Sequence, residues 1–150
     1  MLVNLLLFVG ALATMELVAY LTHKYLMHGS LWFLHASHHV PHKNWFEWND
    51  LFGVFFAIPA IVLIYVGRYH YPPLLWIGLG VTAYGFCYFV FHDIIVHRRL
   101  PLRIHPKSRY MRRIIHAHLI HHSTHEREGA VSFGFLYARS ADKLKRTATG

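Results

Sequence analysis

The chain has 150 residues, 55% of them hydrophobic, and a formal net charge of +8 with histidine counted neutral. That length is enough for one domain. A mean hydropathy of +0.30 beside so much positive charge conflicts with a soluble domain and agrees with a membrane protein that has basic loops. The single cysteine, Cys87, excludes an internal disulfide and an iron–sulfur cluster, which needs several thiolates, and reads as a small apolar filler.

The first predicted element covers residues 1–22, an apolar run that lacks a basic start and contains Glu16. It reads as a spanning helix rather than a signal peptide. Acids inside a span are usually paired, so Glu16 is expected to hydrogen-bond within the bundle and not to bind metal. His23 and His28 follow directly as H-x-x-x-x-H, then His35, His38 and His39 as H-x-x-H-H. In NWFEWND, residues 44–50, Asn49 or Asp50 is expected to cap the next helix, and Trp45 and Trp48 to sit at headgroup level.

Two further apolar segments, 51–67 and 74–91, are near the lower length limit for a span. Between them RYHYPP forms a short turn, where Pro72 and Pro73 break the helices. The two histidine patterns then recur, as His92 and His97 in HDIIVH and as His118, His121 and His122 in HLIHH. The stretch 109–122 is amphipathic and basic, suited to lie in the interface with Tyr110, Ile114, Ile115 and Leu119 buried. Residues 140–150 read as a polar, frayed tail.

Ten of the fifteen histidines thus fall in four boxes. Imidazole is the commonest metal ligand, and ten are too many for one ion, which takes about four to six donors. They suit two ions with about five each. On a regular helix H-x-x-H-H gathers its rings within about a quadrant, whereas the rings of H-x-x-x-x-H stand about 140° apart. Either the helix distorts at the latter through a π-bulge, or its two rings serve different ions; we take the second reading. Of the other histidines, His42, His70, His105 and His125 carry no ligand pattern. His116 is about 200° round a helix from His118 and is a candidate for a supporting role behind the ligands. Asp93, next to His92, is a candidate to orient a ligand ring, with a solvated interfacial acid as the alternative.

With the N-terminus outside and three spans, fourteen of the fifteen Lys and Arg fall on the inner side and only Arg68 on the outer. All four histidine boxes then face the cytoplasm. The expectation is an all-α membrane protein: three transmembrane helices, at about 1–22, 51–67 and 74–91, and a cytoplasmic histidine-rich helical cap over 92–139 that holds a dinuclear metal site.

The ordered words HKYLMHG, HASHH, FEWNDLF, FHDIIVHRR, AHLIHH and EGAVSFGFLYA resemble the bacterial β-carotene 3-hydroxylases, within the fatty-acid hydroxylase and sterol desaturase superfamily, over nearly the whole chain. The resemblance implies a di-iron centre, two Fe2+ held by His23, His28, His35, His38, His39, His92, His97, His118, His121 and His122. It also implies use of dioxygen and of electrons from reduced ferredoxin. The reaction implied is hydroxylation of carbon 3 of each β-ionone ring of β-carotene, through β-cryptoxanthin to zeaxanthin, in the bacterial inner membrane. The basic inner face suits an acidic electron carrier, or equally the anionic lipid of the bilayer; nucleic acid is not an expected partner. The role of residues 128–138 does not follow from their sequence beyond a turn or lid over the site. A fatty-acid or sterol hydroxylase keeps the chemistry and changes the substrate. A metal transporter or sensor is the reading of another class, disfavoured because transporters place their sites near the bilayer midplane.

Overall fold

The computed structural model describes residues 1–40, 45–102, 104–139 and 143–144. Among them the fold is all-helical. Helix α1 (Leu2–Leu21) runs without interruption into a π-helical segment, Thr22–Ser30, that ends where Gly29 leaves helical geometry. A short α2 (Trp32–His35) and a 3-10 turn (Ala36–His39) carry the second box. A second 3-10 turn, Trp48–Asp50, opens α3 (Leu51–Tyr69). After a tight turn α4 (Pro73–Phe89) begins with Pro73 in its first turn, where the missing N–H costs nothing, and passes into a second π-helical segment, Val90–Val96. The Ser108 hydroxyl caps α5 (Arg109–His122) by accepting from the Met111 amide at 3.1 Å.

Among the described residues three helices are long and apolar enough to cross a membrane: Leu2–Ser30, Trp48–Tyr69 and Pro73–Val96. Each exceeds its expected length: the histidine-bearing π-helical segments continue the first and third, and the Trp48–Asp50 turn extends the second. The shortest has 22 residues, roughly 33 Å at 1.5 Å per residue against a hydrocarbon core of about 30 Å.

The middle helix is α4, antiparallel to α3 and parallel to α1. Small residues allow both contacts. A Cβ on Gly78 would lie 2.8 Å from Ile64 Cγ1 of α3, and one on Gly80 would collide with the Phe8 carbonyl of α1. The outer faces expose Leu2, Leu5, Val54, Ile58, Ile61 and Phe86. In a bilayer those faces meet lipid. Cys87 is exposed on α4 and fills no core.

The packed core lies at one end of the bundle, where Met15, Tyr84 and Phe91 meet Ile114, Ala117, Val131 and Phe135. Helix α5 buries Ile114, Ala117, His118 and His121, a stripe at i, i+3, i+4 and i+7. Tyr110 and Leu119 are 44% and 54% exposed and lie outside this packed stripe.

Of the two expected caps, Asp50 takes the N-cap position of α3. Glu47 and Asp50 form a reciprocal capping box, with the Glu47 amide donating to Asp50 Oδ2 at 3.0 Å. Asn49 is instead buried and turned towards His35. Trp45 and Trp48 are exposed beside it. His42 and the tail lie outside the described residues, apart from Lys143 and Leu144.

Candidate metal centre

The ten box histidines converge at the packed end of the bundle in two groups of five. His23, His28, His35, His39 and His121 form the first; His38, His92, His97, His118 and His122 form the second. Within each group the candidate ligand atoms all lie within 4.8 Å of one another. The groups adjoin, with His39 and His122 stacked at 4.5 Å between ring centroids.

Two local devices produce this sorting. The pair His23 and His28 sits in a π-helical segment and the pair His92 and His97 spans another and its C-cap; the hydrogen bonds of such segments join residues five apart. The spacing of the motif is therefore the repeat of its backbone, and both rings of a pair fall in the same group. This corrects the reading that each pair is divided between two sites. The H-x-x-H-H boxes are what divide. Their first and last rings stay with their own half of the chain, while the middle ring crosses over: His38 joins the second group and His121 the first.

The rings are aimed by their outer nitrogens. Nδ1 donates from His23 to the Phe133 carbonyl at 3.0 Å, from His28 to Arg127 at 3.0 Å, from His39 to Thr124 at 2.7 Å and from His121 to Val131 at 2.9 Å. His35 Nδ1 donates to Asn49 Oδ1 at 2.7 Å, and His38 Nδ1 to Glu47 Oε2 at 2.8 Å. Asp93 Oδ2 lies 3.3 Å from His92 Nδ1. Residues 124–133 thus supply four carbonyls to the first group. Ser132 takes a left-handed φ of 67° between Val131 and Phe133, whose carbonyls both reach the rings. The Phe133 ring packs edge-on against His23, His28 and His121.

Glu16 anchors the far end of this segment. Its Oε1 accepts the amides of Phe135, Leu136 and Tyr137 at 3.1, 2.9 and 3.3 Å, and its Oε2 accepts the Tyr84 hydroxyl at 2.8 Å. His116, His70, His105 and His125 are exposed and belong to neither group.

A neutral ring that donates through Nδ1 carries only a lone pair on Nε2. Yet Nε2 atoms face one another at 3.2 Å in His23 and His35, 3.1 Å in His28 and His121, 3.1 Å in His35 and His39, and 2.9 Å in His38 and His92. Burial is the main cause that keeps the rings neutral. It pushes His35 and His122 down to about 2, His39 to about 4, and His38, His118 and His121 well below the usual histidine range. Opposed lone pairs repel, and a cation between them removes the repulsion. His122 Nε2 is buried without a hydrogen-bond partner. Lone pairs aimed inward and fixed from behind are the donor set of a metal ion.

A cavity of about 600 Å3 reaches the centre from the spans and touches one ring of each group, His23 and His92. Its walls are Met15, Phe52, Phe56, Ala60, Val81 and Phe135 among others, and its inner end carries Asn49, Asp50, Asp93 and Arg99.

Residues 8–147 match the model of the fatty acid hydroxylase family. The chain belongs to that family. It is 49% identical over 142 residues to a β-carotene hydroxylase of Paracoccus sp. (strain PC1), covering 94% of this chain and 88% of that protein. It is 52% identical over 133 residues to the β-carotene hydroxylase of Pantoea ananas, covering 89% and 76%. A chloroplastic β-carotene hydroxylase 2 of Capsicum annuum is 41% identical over 132 residues, which are 85% of this chain and 42% of the plant protein. No solved structure matches. Membership of this family makes the chain a hydroxylating enzyme, and its helices long enough for a bilayer fit a membrane-associated one.

Proposed function

We propose that this chain is a β-carotene hydroxylase that acts on carbon 3 of each β-ionone ring, giving β-cryptoxanthin and then zeaxanthin. The observation that carries the reading is the apolar cavity that leads from the spans to one ring of each histidine group. A hydrocarbon dissolved in the bilayer enters such a cavity without crossing water, and aromatic and aliphatic walls hold it with no polar anchor. The two ends of β-carotene are alike, so one cavity serves each in turn.

Two iron ions are the proposed cofactors, one held by each group of five histidines. Bound there, iron supplies activation of dioxygen, which side chains alone do not. The protein gathers ten imidazole donors, seven of them fixed from behind through Nδ1, excludes water with apolar walls and brings the ring against His23 and His92. Hydroxylation consumes one dioxygen, two electrons and two protons for each alcohol formed, with one water released. Reduced ferredoxin is the proposed electron source. Arg109, Arg112 and Arg113, exposed on α5, supply a basic surface beside the centre that steers an acidic carrier. The proposed setting is the bacterial inner membrane, with the metal centre on the cytoplasmic side as the basic residues favour.

The test is expression in cells that make β-carotene, followed by separation of the pigments. Zeaxanthin and β-cryptoxanthin are the expected products. Unchanged β-carotene together with an oxidised acyl chain or sterol would move the assignment to that substrate class.

A further inference from the structure

The partners behind the two histidine groups differ in kind. In the first group all five Nδ1 atoms meet neutral oxygens, four backbone carbonyls and the Asn49 amide. In the second, His38 and His92 face the carboxylates of Glu47 and Asp93 at 2.8 and 3.3 Å. Those carboxylates are joined to each other. Arg99 Nη2 lies 2.6 Å from Glu47 Oε1 and 2.8 Å from Asp50 Oδ1, and Arg99 Nε lies 3.0 Å from Asp93 Oδ1. A left-handed φ of 53° at Arg98 turns the chain back, and the Arg99 amide donates to the Asp93 carbonyl at 2.9 Å.

We propose that this carboxylate–guanidinium network makes the two metal sites unequal, with Glu47 and Asp93, held by Arg99, acting through His38 and His92 to make the second group the tighter site for a divalent metal. The inference rests on the reading of both groups as metal sites. A carboxylate draws the Nδ1 proton from the ring more strongly than a carbonyl does and so makes Nε2 the better donor. The Glu47 side chain is only 5% exposed, so water screens it little. Three carboxylates packed together would repel and splay. The planar fork of Arg99 binds each of them and fixes the oxygens that face the rings. Glu47 and Arg99 are therefore positioning residues. Their effect is directed at one site, because the rings that Glu47 and Asp93 face, His38 and His92, both belong to the second group.

The full chain, stripped of metal and held in detergent, is titrated anaerobically with Co2+ and followed by its visible absorption. Two ions per chain binding in two resolved steps is the expected result. His97→Ala should remove the tighter step and His28→Ala the weaker. Glu47→Gln keeps size and an acceptor but loses the charge. It should weaken the tighter step by about 10–100-fold and shift its absorption bands while leaving the weaker step in place. The weaker step then reports that the variant is folded. Should Glu47→Gln fail to fold, Arg99→Lys loses the fork and should weaken the same step alone. Two ions bound with equal affinity, or a Glu47→Gln change spread over both steps, would overturn the inference while leaving the metal reading intact. Binding of no metal would overturn both.

Discussion

The His97 amide donates to the His92 carbonyl at 2.9 Å, across five residues rather than four. That wider ring is what turns both imidazoles of H-x-x-x-x-H towards one group. Adding one alanine between Ile94 and Ile95 makes the spacing six, which neither helix type accommodates. Metal per chain, measured by elemental analysis, should fall from two towards one. Retention of both ions would show that the π-helical register does not matter.

Replacing His28, His39, His97 or His122 by alanine should lower conversion of β-carotene by at least the roughly 10–100-fold typical of lost partners behind a metal, with bound metal reduced. His70→Ala and His116→Ala should retain most activity and all metal, because both side chains are exposed and outside the two groups. Pigment analysis beside metal stoichiometry for each variant decides it. Full activity in two of the four box variants would defeat the arrangement of ten ligands on two ions.

Ser132 holds a left-handed backbone so that the carbonyls on both sides of it reach His121 and His23. Glycine adopts that conformation freely, so Ser132→Gly should unfold at or slightly above the wild-type temperature. Ser132→Val should be destabilised by about 1–2 kcal/mol and should also lose metal more readily. Equal melting temperatures for the two variants would remove the backbone argument.

Removing the Glu16 carboxylate leaves three backbone amides and a tyrosine hydroxyl without their acceptor. Glu16→Ala should cost about 2–3 kcal/mol or more, since bonds to a charged group are worth about 1.5–3 each. Glu16→Gln, which keeps one acceptor oxygen, should recover part of it. A Cβ at Gly134 would come within 2.8 Å of Glu16 Oε1, so Gly134→Ala should resemble Glu16→Ala in thermal unfolding. An unchanged transition in all three would show that the anchor is idle.

Orientation is tested separately. In intact cells a tag after Gly150 should resist external protease, and a tag before Met1 should be cleaved. The reverse pattern would place the histidine groups on the outer side.

Much of this was legible in the amino acids. Apolar runs and the +8 charge indicate three spans, and the four boxes name all ten converging imidazoles. What stayed hidden depends on the backbone. A spacing of five looks wrong for chelation until the helix is known to be π-helical at Thr22–Ser30 and Val90–Val96. The service of Thr124, Arg127, Val131 and Phe133 is done by carbonyls, which every residue has, so no side chain announces it. Glu47 lies among tryptophans and reads as part of a headgroup anchor. Only the fold brings Arg99, fifty-two residues later, within 2.6 Å of it.

The exchange of His38 and His121 between the two groups has a temporal meaning during synthesis. The first group lacks its fifth ring until His121 exists, and the second lacks two until His118 and His122 do. The carbonyls that steady the first group come later still, up to Phe133. Neither half of the chain can therefore close a site by itself as it leaves the ribosome. Both groups are complete only once α5 has folded back on the spans, so a metal that binds either group meets a finished chain rather than a growing one.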